Sequence, residues 1–171
     1  MNRAGVERLR AEPLTAGAFA PFGEVIAAAE AAEVRTINLG YARRFHDLAR
    51  LDLDTDGGRP VLSLFRVTPV PDPIRIARME RHPLSSQAFY PLGGRPWLVV
   101  VAPPGVFDPG ALRAFLARAD QGVNYRPGTW HHFCLALEAE TDFLVIDRDG
   151  PGPDCDEVSV EPPREVIVAA V

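Results

Sequence analysis

Seventeen prolines and fourteen glycines are spread along this 171-residue chain, and they leave few stretches long enough for an ordinary helix. The segments between them are short, and several are dominated by β-branched and aromatic residues, which suit strands. Strands are expected at 61–67, 74–82, 87–91, 97–102, 131–138 and 142–147. Three segments read as helical. They are 15–22 with Thr15 as N-cap, 27–33, and 109–119, where Pro109 opens the segment and Leu112, Phe115 and Leu116 share a face. Many short strands with one late helix predict a mostly-β barrel or sandwich, a single domain spanning 1–171. The tail ends in an apolar run, 166–171, expected to pair with an edge strand or a second subunit.

Charge narrows the possible partners. The net charge is −5 and the pI about 5.4, with no basic block, which argues against nucleic acid or an anionic membrane. All 18 cationic side chains are arginine. A lysine Schiff base, a lysine general base and a phosphate loop ending in Gly-Lys are therefore excluded. Chemistry must come from arginines, carboxylates and four histidines. Cys134 lies in an apolar run and reads as a core residue, and neither it nor Cys155 looks like half of a structural disulfide. The first dozen residues lack the apolar stretch of a signal peptide, and the longest apolar run, 97–104, is too short to span a bilayer. A soluble cytoplasmic protein is expected.

Two constellations stand out. In a strand over 74–82, period-two alternation places Ile74, Ile76, Arg78, Glu80 and His82 on one face, so Glu80 and His82 point the same way. Gln87 follows five residues after His82, and Gly94 closes the run seven later. This spacing matches the first motif of cupin barrels, with Glu80 in place of its first histidine and Gln87 in place of its glutamate. The second constellation, 122–132, resembles the second cupin motif, although its Pro127 and Gly128 are contiguous. By that likeness His131 joins Glu80, His82 and Gln87 inside a barrel. Its neighbour His132 faces the other way if the strand is regular.

Five strings occur in order: Arg44-Phe45-His46-Asp47-Leu48, the segment 80–89, Gln121-Gly122-Val123-Asn124-Tyr125, Trp130-His131-His132, and Thr141-Asp142-Phe143-Leu144 followed by Ile146-Asp147-Arg148. Together they resemble the ureidoglycolate lyase family over about 14–156. The resemblance implies a cupin-type double-stranded β-barrel (jelly roll) with a few short helices, assembled as a homodimer. The implied reaction, part of allantoin and purine catabolism, cleaves (S)-ureidoglycolate to glyoxylate and urea. It also implies His82, His131, Glu80 and Gln87 as the catalytic group, with Arg44, His46, Asp47, Asn124 and His132 contacting substrate. Arg66 is a further substrate-binding candidate, because an arginine buried in an apolar strand needs an anion, either the substrate or a structural carboxylate. Asp147 and Arg148 read as a structural pair.

The family is associated with nickel, and Glu80, His82, Gln87 and His131 would be its ligands. A set in which a neutral amide replaces a carboxylate predicts no required cofactor, or a weakly bound divalent metal. Two other readings remain open: a metal-dependent cupin enzyme of another class, and a non-catalytic cupin that binds a small acid.

Overall fold

A computed structural model of the chain describes residues 7–169. Its strands are β1 (Arg8–Arg10), β2 (Glu12–Pro13), β3 (Gly23–Ile26), β4 (Glu33–Ile37), β5 (Ala42–His46), β6 (Arg59–Val67), β7 (Arg75–Arg81), β8 (Gln87–Pro91), β9 (Trp97–Ala102), β10 (Arg113–Ala117), β11 (Gly122–Tyr125), β12 (Trp130–His131), β13 (Leu135–Ala136), β14 (Thr141–Asp149) and β15 (Asp156–Ile167). One sheet runs β1-β15-β7-β12-β9-β10-β2, with β13 also on β9. The second runs β3-β11-β8-β14-β6, and β4 and β5 form a separate hairpin. The fold is the mostly-β jelly-roll barrel expected from the sequence.

The core has two parts. Phe89, Val123, Tyr125, Phe143 and Val145 of the second sheet meet Trp97, Val99, Val101, Phe115 and Ala117 of the first, filling the space between the sheets. Leu98, Val100, Ala102, Ala114, Trp130 and Leu135 form another cluster on the opposite face of the first sheet. Strand β9 feeds both clusters by simple alternation and is buried throughout. Short turns hold the strands in place. Thr15 caps the helix α1 (Ala16–Phe19) by accepting from the Ala18 amide at 3.2 Å.

The helix expected at 109–119 is not formed. Asp108 caps a single 3₁₀ turn, Pro109–Ala111, and the chain then enters β10. Ala114 packs into one cluster while Phe115 and Ala117 pack into the other. A strand buried on both faces carries a continuous apolar run, which periodicity alone does not separate from a buried helix. The segment 27–33 likewise holds only the turn Ala28–Glu30 before β4 begins. The strand expected at 131–138 is split into β12 and β13, both laid against β9. The tail pairs within the chain, Val166 with Leu9 of β1, while residues 170–171 lie outside the described part.

The single face expected for Ile74, Ile76, Arg78, Glu80 and His82 also needs correction. Ile76 and Met79, an odd number of residues apart, both pack into the second cluster. The pairing of β7 with β15 shifts register between Ser159 and Arg164, opposite Arg78 and Ile76. This irregularity resets the alternation, so Glu80 and His82 no longer share a face with the isoleucines.

Strand β11 is held so closely that Gly122 has no room for a side chain. A Cβ there would stand 2.4 Å from the Phe89 carbonyl oxygen and 2.7 Å from the Tyr90 ring. Gly122→Ala should therefore destabilise the protein by about 1–3 kcal/mol, read as a lower urea midpoint at unchanged slope. An unchanged midpoint would show that β8 and β11 yield more easily than this packing implies.

Candidate active site

The ladder places the site residues. Strand β12 lies between β7 and β9, with His131 opposite Glu80 on one side and Val101 on the other. Residues directly opposite in a sheet share a face. Val101 belongs to the cluster between the sheets, so His131 and Glu80 point into the barrel. Trp130 pairs with Ala102 and packs in the other cluster. His82, just past the end of β7, completes a group in which one donor atom each of Glu80, His82 and His131 lies within 4.8 Å of the others.

Backbone carbonyls set the histidine tautomers. A carbonyl only accepts, so the ring nitrogen facing it carries the proton. His82 Nδ1 donates to the Asp154 carbonyl at 2.5 Å, and His131 Nδ1 to that of His132 at 3.3 Å. Both Nε2 atoms are left as lone-pair bearers, and both are buried with no partner. The Asp154 carboxylate accepts from the Leu84 amide at 2.6 Å and the Ser85 hydroxyl at 2.7 Å, which locks the turn after His82. Tyr125 stacks on the His131 ring at 4.3 Å between centroids, with planes 5° apart. Nothing in the sequence marks Asp154, which sits in a Pro/Gly-rich segment. Tyr125 was legible only as a member of the string that begins at Gln121.

Burial tunes the group. Desolvation, with the neighbouring His82, pulls the His131 imidazole down to about 3, so it is neutral near pH 7. Glu80 is pushed above the usual carboxylate range by burial, an effect opposed by His82. Burial also lowers His132 to about 4. Two imidazoles with bare nitrogens and a half-buried carboxylate are a donor set that suits a divalent cation of intermediate softness.

The second sheet supplies the facing wall. Gln87 is 6% exposed, and its Oε1 has no partner. It pairs with Tyr125 across β8 and β11 and lines a cavity of about 270 Å³ together with His82, Ser85, Asp147, Arg148 and Asp154. A larger cavity of about 860 Å³ lies near the chain ends around Arg8, Ile74 and Val166 and contains no histidine. Unpartnered polar atoms distinguish the smaller one.

Other candidates fall elsewhere. Arg66 is exposed and forms two hydrogen bonds with Asp142, at 2.8 and 3.0 Å, so its anion is a structural carboxylate. It sits at the opposite end of β6 and β14 from Asp147, roughly 17 Å along the strand. Arg44 and His46 lie on the β4–β5 hairpin, with Asp47 just beyond it, and none of the three lines the His82 cavity. Asn124 alternates with Val123 and Tyr125 and so turns away from the barrel, bonding Glu24 Oε2 at 2.9 Å and the Arg50 carbonyl at 2.8 Å. His132 donates to the Phe133 carbonyl at 3.1 Å and is not part of the three-donor group. Asp147 and Arg148 do not pair either. Arg148 donates to the Thr55 and Pro151 carbonyls at 3.1 and 3.0 Å.

A family model described as ureidoglycolate lyase matches residues 6–167. A curated ureidoglycolate lyase of Burkholderia cepacia is 54% identical over 159 residues, covering 92% of this chain and 89% of the relative. Ureidoglycolate lyases of Burkholderia mallei (strain NCTC 10229) and Brucella melitensis biotype 2 (strain ATCC 23457) are 50% and 52% identical, each match covering 89% of both chains.

The depressed His131 predicts a pH dependence of stability. Above its ordinary value of 6.5 both folded and unfolded forms are neutral and the stabilisation is complete. As pH falls from 6.5 towards about 3 the unfolded chain binds the extra proton first, so stability is lost through that window. Urea midpoints of wild type and His131→Phe between pH 7 and pH 4 check this, roughly spanning the window. Wild type should lose stability faster than the variant on acidification, whereas parallel curves would contradict a buried neutral imidazole.

Proposed function

The chain belongs to the ureidoglycolate lyase family, and we propose that it cleaves (S)-ureidoglycolate to glyoxylate and urea. The observation that carries this reading is the pair of unpartnered Nε2 atoms of His82 and His131 beside Glu80, inside the barrel. The reaction takes a proton from the carbinol hydroxyl as the carbonyl forms. The carbon–nitrogen bond breaks, and the ureido nitrogen receives a proton and departs as urea. His82, its tautomer held by Asp154, is the base at the hydroxyl. Glu80, more readily protonated than a solvated carboxylate, is the donor at the nitrogen. His131, neutral and stacked on Tyr125, orients the substrate through Nε2, and Gln87 contacts it from the facing wall.

Glu80, His82 and His131 would hold a divalent cation, with the neutral Gln87 amide as a weak fourth ligand. An ion bound there supplies Lewis acidity at the substrate oxygens. Such a ligand set favours weak binding.

The protein is further proposed to act as a cytoplasmic homodimer on this small-molecule substrate, without nucleic-acid or membrane partners. Support for the dimer comes from the hairpin tip, where Leu39 is 99% and Tyr41 91% exposed, and from Leu62, 67% exposed on the edge strand β6. Among the described residues no helix is long and apolar enough to cross a membrane, and both cysteines are free. Sedimentation equilibrium should give twice the chain mass, shifting towards one chain in Leu39→Asp/Tyr41→Asp. A monomeric wild type would dispose of the dimer.

Purified protein should release urea, not ammonia, from ureidoglycolate above the spontaneous rate, with or without added nickel. His82→Ala and His131→Ala should each lower kcat by about 10²–10⁴-fold, and His132→Ala far less. Release of ammonia would make the enzyme a hydrolase. Glyoxylate binding without turnover would make it a small-acid-binding cupin.

A further inference from the structure

Along β14 the side chains of Phe143 and Val145 turn into the barrel, and the alternation carries Asp147 to the same side. Val145 pairs with Phe89, and Ile146 with Ala88. One step further along that ladder, Asp147 comes beside Gln87. Both line the cavity that holds His82.

The other acids of this cavity are committed. Asp154 holds the Leu84 amide and the Ser85 hydroxyl, and Asp149 is bonded to Arg59. Asp147 has neither a hydrogen bond nor an ion pair among the described residues, although it lies next to an arginine. Gln87 is more than nine-tenths buried, and its Oε1 is likewise without a protein partner. A buried amide oxygen without a partner is costly unless a ligand or water completes it. The cavity thus carries free acceptors, Asp147 and Gln87 Oε1, alongside the His82 imidazole.

We propose that Asp147 and Gln87 form the subsite for the ureido end of the substrate, an inference that rests on the reaction proposed above. A ureido group carries two parallel N–H donors on one edge, the arrangement by which a guanidinium engages a carboxylate in two bonds. Asp147 accepts that pair. The Gln87 amide, one donor and one acceptor group, serves the ureido carbonyl and the remaining N–H. Charge fixes the orientation, because the substrate carboxylate is repelled by Asp147 and takes the far end of the cavity. Asp147 is thus a substrate-binding and specificity-determining residue rather than half of a structural pair with Arg148.

Two non-reacting ligands separate the ends of the substrate. N-carbamoylglycine keeps the carboxylate and the ureido group but lacks the hydroxyl. Glycolate keeps the carboxylate and hydroxyl but lacks the ureido group. Calorimetric titration of the full chain should show N-carbamoylglycine binding weakened about tenfold or more in Asp147→Asn and in Gln87→Met. Glycolate binding should stay at the wild-type value in both. Unchanged N-carbamoylglycine affinity, equal losses for both ligands, or no N-carbamoylglycine binding to wild type would each overturn the subsite. Selective loss in a wild type that releases no urea from ureidoglycolate would uphold the subsite and sink the proposed reaction, so the two failures are distinguishable.

Discussion

The register of a two-residue strand decides what lies inside this barrel. Trp130 and His131 are held between β7 and β9, with His131 facing Glu80 and Val101. A slip of one residue would exchange the two side chains between faces, placing an indole among the catalytic candidates and an imidazole in the outer cluster. Neighbouring contacts oppose such a slip. The Trp130 indole donates to the Gly105 carbonyl at 3.0 Å and lies under the Arg81 guanidinium at 4.5 Å. The His132 amide bonds the Val100 carbonyl at 2.9 Å, and the Gly128 amide bonds that of His82 at 2.8 Å. The last contact ties the turn before β12 directly to the second histidine.

With the register set, the backbone does the rest of the preparation. Carbonyls of Asp154 and His132 hold the Nδ1 protons, so the lone pairs of both rings are left buried and unpartnered. Keeping two buried polar atoms without partners is unfavourable in the free protein. That cost is offset by the packing around them, chiefly the Tyr125 ring on His131 and the apolar layer of Val123, Phe89 and Val145 beneath. One polar layer at the mouth of an otherwise apolar barrel keeps the donors rigid and partly dry, the condition under which their charges act most strongly on a substrate.

The barrel therefore presents two chemically different walls. The first sheet contributes the Glu80 carboxylate and the His131 imidazole, with His82 just past its strand β7, and the second contributes Gln87, Asp147 and the stacked Tyr125. A substrate that carries a carboxylate, a hydroxyl and an N–H-rich group offers each wall something to engage. The cavity beside His82, Gln87 and Asp147, about 270 Å³, suits a ligand of a few heavy atoms. The larger groove near the chain ends lacks any such convergence of unpartnered atoms.

Much of this was legible in the residues. Proline and glycine spacing limited the chain to short strands, and the strands at 87–91 and 97–102 match β8 and β9 residue for residue. Glu80, His82 and His131 were identifiable from spacing and from the family likeness, because a motif records which side chains must meet. Local pattern failed where burial is two-sided or pairing is irregular. Strand β10 read as a helix because both of its faces are apolar, and the phase of β7 was misread because its partner strand carries the bulge. Arg66 looked buried from its strand neighbours, yet it lies in the open on Asp142. Asp154 and the free state of Asp147 had no signal at all, since each depends on atoms brought from distant segments. The sequence by itself determined strand content and the identity of the chemical groups, both encoded by neighbours along the chain. Which face each group occupies, which nitrogen is bare and which carboxylate is unpaired were decided only in the folded barrel, because register and hydrogen-bond completion are properties of contacts between strands.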